Sequence, residues 1–162
     1  MCEVIYKAVI PLDPKTKKNN LVIKYRKGCS KGLVYKKTPY GFVLLGVPFI
    51  AQGDIYKLYE TNCAYWLKRP KNGPINEPVN VRCLFYRDSI RNVDLPNLEN
   101  AICDILTEYH VIADDNRNIV YSMDGSRVFY DKDNPRTEIY ITKAEDGAKK
   151  WTRNRKGEKK EL

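Results

Sequence analysis

Residues 92–120, NVDLPNLENAICDILTEYHVIADDNRNIV, gather Asp94, Glu99, Asp104, Glu108, Asp114 and Asp115 on a chain whose formal net charge is +9. Carboxylates are hard oxygen ligands. Magnesium asks for one or two of them and completes its octahedron with waters and substrate phosphate. An acidic pocket within a basic surface is what a metal-dependent nuclease requires, because the acids capture the ion while the surrounding cations still attract the polyanion. The same residues have a plain structural reading: Asp94 caps a helix, Pro96 occupies its first turn, and Asp114 with Asp115 forms a turn feeding a strand. Spacing leaves both readings open. Asp94 and Asp115 flank a helix roughly 20 Å long, and they meet only if the chain after Tyr109 doubles back along it.

The elements that must position these acids follow from periodicity. VNVRCLFYR alternates Val79, Val81, Cys83 and Phe85 against Asn80, Arg82, Leu84 and Tyr86, which predicts a strand. Leu95, Leu98, Ile102, Ile105, Leu106 and Tyr109 then recur at helical spacing, with Asn97, Asn100, Asp104 and Glu108 opposite, so the acidic helix packs one side on a sheet. NIVYSMD and RTEIYITK predict two further strands, joined by a loop containing GSRVFYDKDNPR. Upstream, VIYKAVIP predicts an opening strand ending in a loop. DIYKLYETNCAYWLKR predicts a helix capped by Asp54, carrying Ile55, Tyr59, Cys63 and Trp66 on one face and ending before Pro70. PKNGPINEP is a turn-rich connector. His110, the only histidine, falls where the acidic helix stops and reads as a terminus residue.

A chain of 162 residues, 43% of them apolar, supports one compact core. The basic balance makes nucleic acid the first partner to test. From Pro14 to Gly53 there is no acid, while Lys15, Lys17, Lys18, Lys24, Arg26, Lys27, Lys31, Lys36 and Lys37 are interleaved with Tyr25, Tyr35 and Tyr40. Extended or hairpin-like segments of that composition suit phosphate contacts and stacking on exposed bases, or simply a solvated basic hairpin. The five cysteines stand singly without zinc spacing and read as small apolar residues, reduced in a cytoplasmic setting. GFVLLGVPFIA is too short, and too broken by Gly46 and Pro48, to span a membrane, so no membrane partner is expected. Beyond Lys143 the segment is polar and basic, with Trp151 its only large apolar residue, and reads as a tail that is partly disordered or orders on a partner.

DLPNLENAICDIL followed by VIADDNRNIV resembles the signature of the RusA-type Holliday junction resolvases: a DLDN that opens a helix, an aspartate within DAL further along it, and a DD pair before the next strand. Asp94, Leu95, Asn97, Leu98, Asp104, Leu106, Asp114 and Asp115 match that pattern without a gap. Weaker similarity reaches IPLDPKTKKNN near the start and NPRTEIYIT at the close, so the resemblance covers most of residues 4–142. It implies an α+β subunit with a small mixed β-sheet and two main helices over residues 1–142, and composition leaves 143–162 as a basic, flexible tail. It further implies a homodimer, dependence on Mg2+ with Mn2+ able to substitute, and paired nicks across a four-way DNA junction in recombination and repair, in a phage or prophage setting. Carried over position by position, Asp94 matches the first catalytic aspartate and Asp115, beside Asp114, the last, and in the family the two meet in the active site.

Two positions depart from the pattern. Pro96 stands where the family has its second catalytic aspartate, and Asn100 where it has a functional lysine. Proline binds no metal, so a replacement is sought among Asp104 and Asn97 on the polar helix face, Asp114, and Asp124 in MDGSR, which stands with Ser126 and Arg127 or forms a DG turn. The expected DNA contacts are Lys17, Lys18 and Asn20 in the first loop, with Arg91, Arg117 and Arg127 near the acids. The leading expectation is a structure-selective endonuclease. The alternatives are a junction-binding protein whose site Pro96 has broken, and a single-strand or RNA-binding module built on the basic N-terminal third.

Overall fold

The structure, a computed structural model, describes residues 3–27 and 31–144 and the backbone of 151–153 and 159–161. It is built around β5 (Val79–Arg87), whose inward residues Val79, Val81, Cys83 and Phe85 are fully buried. β8 (Arg136–Lys143) pairs antiparallel with β5 and with β1 (Val4–Ile10), so Ile139 and Ile141 join Ala8 and Ile10 on the same buried face. On the other side of β5 lie β6 (Val120–Ser122) and β7 (Arg127–Tyr130), both parallel to it. Between β5 and β6 runs α2 (Leu95–Glu108), so β5, α2 and the β6/β7 edge form a βαβ crossover. The fold is α+β, as expected.

The apolar stripe of α2 (Leu98, Ala101, Ile102, Ile105, Leu106) packs into one cluster with β5, β8 and β1. Pro96 is tolerated because the first turn needs no N–H there. The helix closes with His110 at φ 58°, where its N–H donates to the Thr107 carbonyl (3.0 Å) and that of Val111 to the Leu106 carbonyl (2.8 Å). This is a Schellman stop with histidine in the place glycine usually takes. His110→Gly should therefore stabilise the fold by about 1 kcal/mol, read as a rise of a few degrees in Tm, since a left-handed non-glycine residue carries strain of that order.

α1 (Asp54–Cys63) differs from the sequence reading in three ways. Gly53 rather than Asp54 takes the N-cap position, the helix stops at Cys63, and the buried residues of the segment are Tyr56, Tyr59, Cys63 and Leu67. Ile55 and Trp66, expected inside, are exposed. Apolar residues occur on both candidate stripes, so helical spacing alone did not choose between them. β7 corrects a second expectation: RVFY, read as part of a loop, pairs with β5 from Leu84↔Arg127 to Arg87↔Tyr130. All four of its residues are exposed, so no inward alternation announced it.

The acid-free N-terminal stretch forms a second, antiparallel sheet in the order β2 (Leu21–Arg26), β4 (Gly41–Gln52), β3 (Val34–Thr38). Gly46 is obligatory in β4: φ is 112° and a Cβ there would lie 2.5 Å from the Arg26 carbonyl oxygen. Cys63, Cys83 and Cys103 are free and buried, and Cys2 and Cys29 lie outside the described residues. Of the tail, β9 (Trp151–Arg153) and β10 (Lys159–Glu161) pair antiparallel, and the residues around them also lie outside the described residues. No helix among the described residues is long and apolar enough to cross a membrane.

Candidate active site

The crossover places the acids. Asp94 follows the C-terminal end of β5 as the residue before α2, exposed, with no side-chain cap bond. Its carboxylate instead accepts from Asn97 Nδ2 at 2.8 Å. At the far end of α2 the chain does double back: Ile75 N–H donates to the Val111 carbonyl, Ala113 N–H to the Ile75 carbonyl, and Val79 N–H to the Ile119 carbonyl. These bonds pin residues 111–119 along the lead-in to β5, and Cys103 Sγ lies 3.8 Å from Met123 Sδ. Asp115 thus returns to the level of Cys103, whose thiol feels its charge, and of Asp104, whose charge it feels in turn. Asp104 is ten residues beyond Asp94, about 15 Å of helix rise. Within one chain the structure therefore groups Asp115 with Asp104 and Asp114, and Asp94 with Asn97.

Asp114 and Asp115 behave oppositely. The Asn116 side chain, with Nδ2 at 2.6 Å, holds the Asp114 carboxyl below the ordinary carboxylate range. Partial burial, then the Asp114 carboxyl and the charges of Asp104 and Asp114, hold Asp115 above it. A raised acid favours the folded state while protonated, and that advantage disappears as pH rises through its folded pKa. Asp115→Asn should accordingly raise Tm relative to the wild type, by more at pH 7 than at pH 3. Equal gaps at both values would show that Asp115 is not strained by its neighbours.

One cation enters this acidic region from far away in sequence. Lys17 Nζ lies 2.5 Å from Asp104 Oδ2, and its charge also reaches Glu60, which burial pushes upward. Sequence reasoning named Lys17 for DNA and Asp104 for metal, but nothing in it joined the two, and Glu60 was not considered. Among the other candidates, Lys18 is exposed, whereas Asn20 is committed to the loop, donating to the Thr16 carbonyl at 2.8 Å. Arg91 and Arg117 are exposed beside the acidic segment. Asp124 forms the turn after β6, its N–H bonded to Asn80 Oδ1 at 2.8 Å, and lines a separate cavity with Arg82 and Tyr140. Ser126 Oγ accepts from Cys83 N–H at 3.0 Å and Arg127 opens β7, so this trio belongs to the sheet edge.

The donor chemistry fits a hard divalent cation, being carboxylate and amide oxygen with an electrostatically strained acid at Asp115. The count is lean: among the described residues no three His, Cys, Asp or Glu side chains are gathered closely enough to hold a metal. Asp115 with Asp104 and Asp94 with Asn97 are the two oxygen-bearing places.

A βαβ crossover carries these acids along its helix on a chain of formal net charge +9. Residues 47–142 match the family model of the endodeoxyribonuclease RusA, and the chain belongs to that family, whose members resolve Holliday junctions. The matched span begins within β4 and takes in α1, the crossover and β8; the first loop with Lys17, Lys18 and Asn20 precedes it. No curated protein matches the chain.

Proposed function

We propose that the protein is a magnesium-dependent, structure-selective endonuclease that cuts four-way or similarly branched DNA in pairs as a homodimer, with Mn2+ able to replace Mg2+. The observation that carries this reading is the family match, whose span contains both Asp94 and Asp115 on one crossover. Asp94, with Asn97 beside it, and Asp115, with Asp104 beside it, are the principal ligand carboxylates of the two oxygen-bearing places, Asp114 is an adjacent carboxylate, and Asp104 and Asn97 supply the oxygens that stand in for the acid missing at Pro96. When bound, the ion lowers the pKa of a coordinated water and offsets phosphodiester charge. Lys17, already seated on Asp104, presents an ammonium to a phosphate entering beside Asp115. Lys18, Arg91 and Arg117 extend the positive surface around the acids. The homodimer is supported by the outer sheet, where β2, β3 and β4 expose Ile23, Tyr35, Phe42 and Ile50, apolar side chains of the kind a second copy would cover.

The test is a labelled four-way junction incubated with purified protein, with and without Mg2+. Symmetrical metal-dependent nicks support the reading. Salt-sensitive binding without nicks supports instead a junction-binding relative, which Pro96 and Asn100 favour because both departures fall on functional positions of the family pattern and neither affects the fold.

A further inference from the structure

β5 sends Val79, Val81, Cys83 and Phe85 toward both helices, and its alternate residues, Asn80, Arg82, Leu84 and Tyr86, to the opposite face. That second face is neither apolar nor acidic. Lys7, Tyr140 and Arg82 stand in register across β1, β8 and β5, with Lys7 Nζ 5.1 Å and Arg82 Cζ 4.9 Å from the Tyr140 ring centre. One edge carries Tyr86 stacked on Phe129 at 4.9 Å under the Arg136 guanidinium. Arg136 is neutralised by Asp131 and Glu138, but Arg82 has no carboxylate partner among the described residues. Beside Arg82 opens a cavity of about 500 Å³, lined by Arg82, Tyr121, Ser122, Asp124, Tyr140 and Lys143. Asn80 holds the Ser122–Asp124 turn and accepts from Ser122 Oγ, Tyr140 donates its hydroxyl to Glu138 beneath Lys7 and Arg82, and Lys143 lies 3.7 Å from Glu77 at the surface, which leaves the Arg82 guanidinium, the largely exposed Lys143 ammonium and the exposed Tyr121 ring to meet a ligand.

An unpaired guanidinium and a lysine call for an anion. The exposed Tyr121 calls for a planar ring, and a cavity of this volume suits one nucleotide. A duplex would offer its phosphates but keep its bases stacked away from Tyr121. An unpaired strand offers both. We propose that this open sheet face is a second DNA-binding surface, separate from the acidic crossover, that holds an unpaired strand with one nucleotide seated in the cavity, its phosphate on Arg82 and Lys143 and its base against Tyr121. The inference rests on the proposed function only in taking DNA as the polyanion. On a branched substrate, the strand held here would be one that frays at the branch point.

The test is fluorescence anisotropy of a labelled oligothymidylate of roughly twelve nucleotides with the full-length protein in the absence of divalent ions. Wild type should bind in a salt-sensitive manner. Arg82→Ala and Lys143→Glu should each weaken binding by about tenfold or more, while metal-dependent cutting of a four-way junction stays within about twofold of wild type. Wild-type protein that ignores the single strand, or variants that bind it as wild type does, would overturn the proposal, as would variants that lose junction cutting but keep the strand. If Arg82→Ala melts early, Lys143→Glu, at a largely exposed side chain, carries the test alone. A wild type that never cuts would overturn the proposed function and leave this measurement intact.

Discussion

Asp115→Asn is expected to lower metal-dependent cutting of a four-way junction by at least about 10²–10³-fold, the order seen when one preorganised electrostatic group is removed from an active site, while junction binding stays at wild-type strength or tightens. The substitution keeps the shape of the side chain, exchanges one acceptor oxygen for an amide donor and removes one charge at an exposed position. DNA affinity rests on the cations, so losing an acid near the phosphates does not weaken it. A nick-assay rate constant measured beside a binding curve separates the two effects. A variant that cuts at the wild-type rate would remove Asp115 from the site. One that neither binds nor cuts would mean that the residue holds the return segment in place.

Pro96→Asp is the second large effect. Pro96 is exposed in the first turn of α2, where an acidic side chain is favoured by the helix dipole, so the fold should accept the change. It would set a carboxylate two residues from Asp94 and beside the Asn97 amide that already contacts Asp94. If the metal site is short of one ligand, cutting at limiting Mg2+ should rise by about 10–100-fold and the Mg2+ midpoint should fall by a similar factor, the range by which supporting ligands tune metal sites. No change in either quantity would mean that another acid already serves, with Asp104 and Asp114 the nearest to Asp115.

The sequence was most informative where a single pattern governed an element. The inward face of β5 and the apolar stripe of α2 both follow directly from spacing, and so does the terminal role of His110. It was least informative where burial did not discriminate. The stripe of α1 was misjudged because Ile55 and Tyr56, or Trp66 and Leu67, are adjacent apolar residues of which only the fold decides the inner one. β7 was missed because an exposed edge strand has no alternating core face. The acids themselves were plain in composition, and their resemblance to a family signature located them. Their grouping was not legible, since the Lys17–Asp104 contact spans 87 residues and the return of Asp115 to Asp104 depends on backbone bonds to Ile75 and Val79.

Those same backbone bonds bear on how the molecule is made. Parallel pairing of β5 with β6 and β7 closes only after the intervening helix has formed and folded back, a contact of high sequence separation whose loop-closure entropy slows folding. β1 has a similar wait for β8 at the other end of the chain. The antiparallel β2–β4–β3 sheet, whose strands all lie within residues 21–52, needs neither. A chain emerging from synthesis would complete that basic sheet first, and it would carry Asp94 and Asp115 on unjoined segments until the crossover shut. Pulsed hydrogen exchange during refolding should then protect the β4 amides before those of Val79 and Ile112, so that the basic sheet is complete before the acidic crossover has closed.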